Sequence, residues 1–510
     1  MHRCMGEGFS FTPKELMWNA QLPPARWYTP NSPDLPALIR EIEDHRLVAI
    51  DTETTGLEEM TDRVLYWSMA WDRGDTAGTN DEPVNGQRVC LRADTLPYFE
   101  HIFEDPRRRW CLANAKYDAS LLANMGAYLL GDLADTQIMH ALLYEEDEHG
   151  LKEMSAALLG WKWQSFEETF GKVDKRIPGD CYQKRLTDAE KNDLPRLVEY
   201  AANDAFATLA LYMLLRKALR RVVTRSGDPR IKTLWDYYEL TELDFTRTLW
   251  ECERAGFAID QGYVDTIQQQ VSVALINAEK EVNRAAGRVV NLRSTSDMQT
   301  LLFDELKIPI VKMTSGGKTG VRKPSSDKKT IERLLEMALS PKQLEVLRAI
   351  DAFGKVRALN DNFLPALRKT DRWGRLHTHL RQAGAATGRL SSSGPNLQNV
   401  KAPDRDPFSM RKAFVTEPGL LLVAADFSAL EMMVLAAAAQ EEEMLDIFRR
   451  GWDIHMGNAS MVYGLPYEDI VKAKSIDGKV KEGSLPASAM TAYVVECIDA
   501  RQAVKTIGYG

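Results

Sequence analysis

The sequence predicts an α/β domain, then a mainly helical region, then a region of mixed α+β structure. Short apolar runs typical of buried strands alternate with helical patterns from about residue 37 to 215. From about residue 230 the pattern changes to long helices, most clearly at 235–255 and 263–286. Because 510 residues are too many for one hydrophobic core, we expect two to four domains.

In chain order, residues 1–36 are proline-rich and predict an irregular lead-in. The domain that follows, residues 37–220, has predicted strands at 47–50, 64–71, 88–91 and 110–113, and predicted helices at 116–125 and 193–215. The polar segment TRSGD, residues 224–228, is the expected boundary.

The second half is predicted to divide into residues 230–370 and 371–510. In the latter, residues 419–426 read as a buried strand that ends on an acid, and 429–450 as a helix. The stretch TSGGKTGVRKPSSDKK predicts a basic loop. It could bind DNA through Lys318, Arg322 and Lys323, or it could be a solvated surface loop.

Overall composition is that of an ordinary globular protein, with 44% hydrophobic and 27% charged residues. The net charge of −8 argues against a nucleic-acid partner, since basic domains are the usual footprint of such proteins. However, residues 312–333 carry seven basic and only two acidic side chains, and an enzyme that binds metal ions needs acids. Net charge therefore carries little weight.

Localisation is predicted from three features. The six cysteines form no disulfide framework or CxxC site, which favours reduced thiols. The start, MHRCMGEGFSFTPKELMW, has no apolar core of signal-peptide length, and runs such as LLLVAA are too short to span a membrane. We expect a cytoplasmic protein without membrane contact.

Four acids form the first candidate site. Asp51 and Glu53 lie two residues apart at the end of an apolar strand, so both carboxylates share one face. Oxygen ligands placed in this way suit a hard divalent cation, although a lone DxE pair is weak evidence. Asp118 follows Asn114 by four residues and Asp204 follows Tyr200 by four, so each pair shares a helix face.

Asp204 lies in the apolar stretch YAANDAFATLALYML, where an unpaired carboxylate would be costly. The alternative to a metal ligand is a helix acid paired with a nearby Arg or Lys. Each of the acidic motifs, taken singly, favours such a structural role.

In combination, the motifs DTET, NAKYD, ADTQIMHALL and YAAND resemble the 3′-5′ exonucleases of the DEDD superfamily. The tyrosine four residues before the last Asp is typical of the Tyr-type branch. The resemblance covers about residues 37–215. It implies a ribonuclease-H-like fold, two Mg²⁺ or Mn²⁺ ions and action on the 3′ end of single-stranded DNA.

The resemblance also implies a role for each acid. Asp51 would bridge the two ions, Glu53 and Asp204 would complete the inner ligands, and Asp118 would act partly through water. Tyr200 would orient the attacking water.

Three further positions match the same family. Leu57 would act as a wedge near the terminal base, and Asn114 would support the 3′ end. Asp135 matches a family position as well, and we expect a packing or hydrogen-bonding role for it.

The run AATGRLSSSGPNLQNV, residues 385–400, resembles the hallmark motif of family A DNA polymerases. The resemblance implies that Arg389, Asn396 and Gln398 contact the primer-template duplex. Minor-groove acceptors lie at similar places for every Watson–Crick pair, so contacts there sense base-pair shape.

The segment DFSALEMM resembles motif A of the same family. The resemblance makes Asp426 the ligand of two catalytic metal ions and Glu431 the steric gate against a ribose 2′ hydroxyl. Ala429 and Met433 depart from the family's usual Gln and Arg. Met433 therefore removes an Arg that would support the residues around the site, but it leaves the metal ligand Asp426 in place.

The terminal RQAVKTIGYG resembles the start of motif B. Arg501 and Lys505 share a helical face, where cations suit a nucleoside triphosphate. By resemblance, Tyr509 would stack near the sugar. The alternative is a helix with two solvated basic residues, which the order of motifs makes unfavourable.

The expected protein is the N-terminal portion of a phage-type family A DNA polymerase, with thumb and partial palm and fingers. Its exonuclease site is expected to be complete, while motif C, with the second catalytic Asp, is absent from the sequence. One alternative is a stand-alone DNA exonuclease. Another is a non-catalytic DNA-binding half of a split polymerase, which a C-terminal polymerase chain would complete for dNTP addition.

Overall fold

A computed structural model describes residues 22–79, 85–174, 176–315, 322–385, 387–402, 406–482 and 484–509. The chain divides into two compact units, Met1–Leu420 and Leu421–Gly510, and each is described by itself. Within the described ranges, no helix is both long and apolar enough to cross a membrane.

The first unit begins with a six-stranded mixed sheet. Its strands are β1 (Ala25–Tyr28), β2 (Leu47–Thr54), β3 (Val64–Asp72), β4 (Gly86–Arg92), β5 (Arg109–Leu112) and β6 (Asp132–Asp135). The order across the sheet is β1-β4-β3-β2-β5-β6. Strand β3 runs antiparallel to β2 and β4, whereas β2, β5 and β6 are mutually parallel. The carboxyl ends of these three parallel strands therefore lie at one edge of the sheet.

Eight helices accompany this sheet. They are α1 (Leu35–Glu43), α2 (Glu100–Phe103), α3 (Ala115–Asn124), α4 (Thr136–Ala141), α5 (Leu151–Met154), α6 (Phe166–Phe170), α7 (Tyr182–Asn192) and α8 (Leu194–Arg221). Helix α8 packs across β2, β3 and β4 and buries most of its side chains. A helix that is apolar on nearly every face belongs inside a core, which explains the apolar sequence around Asp204.

The predicted strands and helices of this region are confirmed, but the irregular lead-in is wrong in one part. Strand β1 lies inside it and pairs in parallel with β4, with Tyr28 opposite Leu91. Flanking prolines suggested irregular structure. They do not prevent a four-residue edge strand between them, because an edge strand needs only one hydrogen-bonded neighbour.

The rest of the first unit is mainly helical. Its helices are α9 (Leu234–Tyr237), α10 (Leu243–Ala255), α11 (Gln261–Ala286), α12 (Thr295–Gln299), α13 (Lys328–Leu335), α14 (Pro341–Ala358) and α15 (Leu364–Leu367). The long helices α11 and α14 pack together around a separate apolar core. Short strands complete it: β7 (Phe257–Ile259), β8 (Arg375–Leu376), β9 (His379–Arg381), β10 (Ser391–Ser393) and β11 (Phe414–Val415).

Five helices make up the second unit: α16 (Leu430–Ala439), α17 (Glu442–Arg449), α18 (Ile454–Tyr463), α19 (Tyr467–Lys481) and α20 (Ala492–Tyr509). Helices α18, α19 and α20 share an apolar core. The predicted single helix at 429–450 is two helices, because Gln440 adopts a left-handed backbone conformation with φ 53°.

The predicted buried strand at 419–426 is wrong. These residues are irregular, and the side chains of Leu421 and Val423 are each 87% exposed. A strand needs neighbours to accept its backbone hydrogen bonds, and within the described ranges no strand pairs with this segment. Apolar character alone does not bury a run of residues.

Candidate active site

The candidate site is built at the end of β2. Asp51 and Glu53 pair across the sheet with Ser68 and Tyr66 of β3, and the register shifts directly after Glu53. Alternation along the strand places both carboxylates on one face, as the sequence predicts. The register shift is a β-bulge, a feature that often re-aims side chains next to functional sites.

Helix α8 supplies the third carboxylate. One carboxylate oxygen from each of Asp51, Glu53 and Asp204 lies within 4.8 Å of the others. Glu53 and Asp204 are buried, while Asp51 is partly buried. No other group of three or more potential metal ligands occurs among the residues that the structure describes.

Asp118 is buried on α3 but does not belong to this tight group. Its Oδ1 accepts a hydrogen bond of 2.5 Å from the Thr52 hydroxyl, which lies between the two acids of β2. Its charge still reaches the group, because Asp118 contributes to the raised pKa of Asp51. The structure therefore places the fourth acid beside the cluster, held by a different partner.

Burial and mutual repulsion dominate the electrostatics of the cluster. Burial, and then the charge of Asp204, raise the pKa values of Asp51 and Glu53 well above those of ordinary carboxyls. Burial likewise raises the pKa of Asp118 to about 7, against the hydrogen bond from Thr52. Carboxylates placed this close cannot all ionise cheaply without a cation.

The residues present fit a divalent metal ion. Hard cations such as Mg²⁺ and Mn²⁺ take carboxylate oxygens as ligands, and the cluster offers three that converge. Because a bound cation would replace the protons that the raised pKa values favour, ion binding and deprotonation would be coupled.

Tyr200 lies one turn before Asp204 on α8, beside the cluster. Burial, and then the charges of Glu53, Asp204 and Asp51, raise the pKa of Tyr200, so its phenol is neutral. Its ring packs edge-on against Phe170, with centroids 5.1 Å apart. These contacts hold the phenol hydroxyl near the carboxylates.

Two residues of this site were missed from the sequence, Lys152 and Trp163. Lys152 Nζ donates to the Tyr200 hydroxyl at 3.2 Å, and Trp163 Nε1 donates to Asp204 Oδ1 at 2.7 Å. Both lie between the ADT and YAAND motifs, in a segment without a recognised pattern. The only available signal was the pair of tryptophans in GWKWQSF, which is unusual for a connecting segment.

Asp135 has the hydrogen-bonding role that the sequence suggested. Its carboxylate accepts from the backbone N–H groups of Asn114 at 3.2 Å, Ala115 at 2.8 Å and Gln137 at 2.8 Å. It therefore ties the start of α3 to the end of β6. Asn114 is exposed and adopts a left-handed conformation with φ 69° at the start of α3.

Leu57 projects from the loop that follows β2 and is 66% exposed. The preceding carbonyl, that of Gly56, accepts hydrogen bonds from Thr54 Oγ1 at 2.6 Å and Tyr117 Oη at 3.0 Å. An exposed leucine on an anchored backbone is suited to contact a flat apolar surface such as a base.

The predicted basic loop is partly described. Arg322 and Lys323 are exposed, and Thr314 N–H donates to the Lys323 carbonyl at 2.8 Å. Lys312 pairs with Asp327 at 2.6 Å, which reduces the free positive charge. Lys318 lies outside the described residues.

The residues of the AATGRLSSSGPNLQNV motif surround β10. Arg389, Asn396 and Gln398 are all exposed. Asn396 Oδ1 accepts from the Gln398 N–H at 3.1 Å, and Gln398 Nε2 donates to the Leu390 carbonyl at 3.0 Å. Hydrogen bonds between residues of the motif itself therefore stabilise its local conformation.

Asp426 lies in the irregular exposed segment, and Glu431 is exposed in the first turn of α16. Among the described residues, Asp426 is not part of any group of metal-ligating side chains. Within the described part of the chain, the predicted polymerase carboxylate is therefore not in a cluster like that of Asp51, Glu53 and Asp204.

Arg501 and Lys505 lie on α20 and are partly buried. Burial lowers the pKa of His455 on α18, and Arg501, Lys505 and Lys474 lower it further. Arg501, Lys505 and Lys474 therefore lie around an imidazole that stays neutral near pH 7, and His455 and Lys474 were not predicted. Tyr509 lies on the same helix, but its side chain is outside the described part of the chain.

Comparisons with known proteins agree with this geometry. A family model described as 3′-5′ exonuclease matches residues 28–220, and one described as DNA polymerase family A matches residues 261–480. The first range contains the carboxylate cluster, and the second contains β10 and Asp426.

Two curated relatives align over most of the chain. DNA polymerase I of Pseudomonas aeruginosa is 29% identical over 440 residues, which cover 85% of this chain and 45% of the relative. DNA polymerase I of Synechocystis sp. is 30% identical over 458 residues, which cover 87% and 43%. The chain thus spans less than half the length of these relatives.

Among solved structures, the fold is similar to the POL domain of Pol1 from M. smegmatis, a complex with DNA primer-template and dNTP. The TM-score is 0.66 at 22% identity, with 95% of this chain and 70% of that chain covered. This similarity confirms the predicted fold class, an α/β exonuclease domain followed by a mainly helical polymerase region. The domain boundaries at 220, 230 and 370 stay predictions.

Proposed function

Because the chain belongs to the family A DNA polymerases and carries an N-terminal 3′-5′ exonuclease domain, we propose that it removes nucleotides from DNA 3′ ends at the β2–α8 carboxylate cluster. The convergence of Asp51, Glu53 and Asp204 within 4.8 Å is the observation that carries this proposal. The substrate is the 3′ end of a single DNA strand, and the cofactor is a pair of Mg²⁺ or Mn²⁺ ions.

Each residue has a part in phosphodiester hydrolysis. Asp51, Glu53 and Asp204 would hold the ions, and Asp118, which is bonded to Thr52, would add a further negative charge nearby. Two such ions, when bound, lower the pKa of a water molecule and stabilise the leaving 3′ oxygen. The neutral Tyr200 hydroxyl orients the water, since a phenol that does not ionise can both donate and accept hydrogen bonds.

Substrate contacts follow from the exposed residues around the cluster. Leu57 packs against the terminal base from its anchored loop. Asn114 supports the sugar-phosphate of the 3′ end from the start of α3. Both act by positioning, so changes at either residue weaken binding of the substrate more than ion binding.

The experiment that tests this proposal is digestion of a 5′-labelled single strand with Mg²⁺ or Mn²⁺. The Asp51→Ala/Glu53→Ala variant should retain its fold and lose digestion, while Glu104→Ala, an exposed acid in the same domain, should digest like the wild type. Digestion by the double variant at the wild-type rate would overturn the assignment.

We further propose that residues 261–480 grip a primer-template duplex as part of a nucleotidyl-transfer enzyme. Support comes from the family match and from the exposed Arg389, Asn396 and Gln398 around β10. The cations Arg501, Lys505 and Lys474, which lie around His455, suit the phosphates of a dNTP. Asp426 is the proposed metal ligand, and Glu431 is the proposed gate against a ribose 2′ hydroxyl. We also propose that the polymerase is of the phage type.

The basic stretch around Arg322 and Lys323 is the proposed duplex phosphate contact. Replacing both by Ala should weaken duplex binding and reduce the slope of log K against log salt by about 1 to 2. Replacement of Lys312 by Ala is the matched control, because Asp327 already neutralises the charge of Lys312. An unchanged slope for the double variant would mean that this basic stretch is an ordinary solvated surface.

A further inference from the structure

The segment from α5 to Trp163 covers the carboxylate cluster with two donors that the proposed chemistry has not used. Lys152 lies on α5, and Trp163 lies in the irregular stretch just before α6. Neither side chain can bind a metal ion through a carboxylate. Lys152 contacts Tyr200 of α8, and Trp163 contacts Asp204 of the same helix. The two donors therefore approach Tyr200 and Asp204 from a separate part of the chain.

Trp163 fixes one oxygen of Asp204. Its indole Nε1 donates to Oδ1 at 2.7 Å, which is short for a nitrogen donor and typical of a charged acceptor. An indole N–H donates only and does not titrate, so this donor is the same at every pH. With Oδ1 held, Oδ2 and the remaining lone pair of Oδ1 keep a defined direction toward the cluster.

Lys152 is held by several groups at once. Its Nζ donates to the Tyr200 hydroxyl at 3.2 Å and to the Gln164 carbonyl at 3.0 Å. It also lies 4.5 Å from the centroid of the Tyr200 ring and 5.9 Å from that of Trp163. An ammonium with so many contacts is a fixed positive charge beside the phenol rather than a freely moving surface lysine.

We propose that Trp163 and Lys152 are positioning residues of the exonuclease site, with separate tasks: Trp163 orients Asp204 for ion binding, and Lys152 orients the Tyr200 hydroxyl for the attack of water. This inference rests on the proposed exonuclease function. The positive charge of Lys152 also lowers the pKa values of Asp51, Glu53 and Asp204, against the burial that raises them.

The two tasks predict opposite effects on ion binding. Loss of the Trp163 donor frees Asp204 to rotate and weakens ion binding, since partners behind a ligand commonly contribute about tenfold or more to affinity. Loss of Lys152 removes a positive charge near three carboxylates, so ion affinity stays equal or rises while cleavage slows. Damage to packing alone would lower both quantities in both variants.

The test uses the full chain with Mn²⁺ as the probe. Calorimetry gives the Mn²⁺ affinity, and single-turnover digestion at saturating Mn²⁺ gives the cleavage rate. Trp163→Phe should weaken Mn²⁺ binding about tenfold, whereas Lys152→Met should bind Mn²⁺ at least as tightly as the wild type and cleave about tenfold more slowly. Lys152→Arg should restore most of the rate.

Matched controls come from the same segment. Lys162→Met makes the same change at an exposed lysine, and Trp161→Phe makes the same change at an indole that stacks on Phe206. Both should keep wild-type Mn²⁺ affinity and rate. Trp163→Leu is a second variant without the donor, for use if Trp163→Phe does not fold.

Wild-type Mn²⁺ affinity in a folded Trp163→Phe or Trp163→Leu protein would overturn the role of Trp163. Weakened Mn²⁺ binding or an undiminished rate in Lys152→Met would overturn that of Lys152. Mn²⁺ affinity is measured without DNA, so failure of the positioning roles is distinguishable from failure of the proposed function. The latter would appear as absent digestion by the wild type itself.

Discussion

Two apolar runs that end on an acid have opposite fates in this chain. LVAID forms the buried core of β2 and presents Asp51 to a carboxylate cluster. LLLVAAD is irregular and leaves Leu421 87% exposed, and Asp426 joins no group of three or more metal-ligating side chains among the described residues. The sequences are nearly equivalent, so the difference must come from their neighbours.

Strand β2 has a neighbour on each side and a helix across one face. β3 and β5 accept its backbone hydrogen bonds, and α8 covers it and supplies Asp204. The segment at 419–426 pairs with no strand within the described ranges. An acid at the end of a strand becomes part of a site only when the surrounding elements fix the strand first.

The largest expected difference between the two regions is in catalysis. Asp51→Ala should reduce exonuclease activity about a thousandfold, because a lost inner ligand removes several kcal/mol of stabilisation. Asp426→Ala, the same change after the same kind of apolar run, should leave the exonuclease rate unchanged. Digestion of a labelled single strand measures both, and equal losses would show that the comparison is mistaken.

The second difference is in stability. Ile50→Ala should lower the free energy of unfolding by about 3 kcal/mol, since the side chain is fully buried in β2. Leu421→Ala should change it by less than about 0.5 kcal/mol, because the side chain is already in water. Urea unfolding followed by circular dichroism gives both values. A large loss for Leu421→Ala would mean that the segment is buried.

A smaller effect separates ion binding from water positioning inside the cluster. Tyr200→Phe should slow hydrolysis about a hundredfold, at the lower end of the range for a group that assists proton movement, and should leave Mn²⁺ affinity unchanged. Calorimetry and the digestion assay test the two halves of this prediction. Lost Mn²⁺ binding in Tyr200→Phe would make the phenol part of the ion site.

The smallest expected effect is the change of stability with pH. The pKa values of Asp204 (about 6) and Asp118 (about 7) lie above 3.8, the ordinary value for Asp. Between roughly pH 4 and 7 the metal-free native state therefore binds more protons than the unfolded chain, and the free energy of unfolding falls as pH rises.

Thermal unfolding of the metal-free protein should thus lose several degrees between pH 5 and pH 8, and Mn²⁺ at pH 8 should restore them. Asp51→Ala/Glu53→Ala should depend less on pH across this window, because the variant lacks two carboxyls whose own pKa values are raised, chiefly by burial. Equal pH dependence of wild type and double variant would show that the cluster does not cause the effect.

Much of the exonuclease region was predictable because its signals are local. The apolar runs gave β2 to β5, and the apolar periodicity gave α3 and α8. The four acids and Tyr200 occur in a familiar order. Strand β1 was missed because its pairing with β4 joins residues about 60 positions apart in sequence, and nothing in ARWY records that neighbour.

The rest depended on contacts that a sequence pattern does not encode. Lys152 and Trp163 act on α8 from a segment without a motif, and only their distances to Tyr200 and Asp204 reveal them. The error at 419–426 has the same origin. Its apolarity predicts a strand, but burial of that strand is decided by partners elsewhere.

The central claim is that three carboxylates converge at β2 into a site suited to bind ions, whereas Asp426 joins no group of three or more metal-ligating side chains among the residues that the structure describes. The most direct measurement incubates the 510-residue chain with a labelled primer-template, Mg²⁺ and the four dNTPs, alongside the Asp51→Ala/Glu53→Ala variant that spares the primer. We expect the wild type to shorten the primer and the variant to leave it at its original length. Template-directed extension by the variant would contradict the account, since Asp426 would then act with metal ligands that are not clustered around it in the described structure.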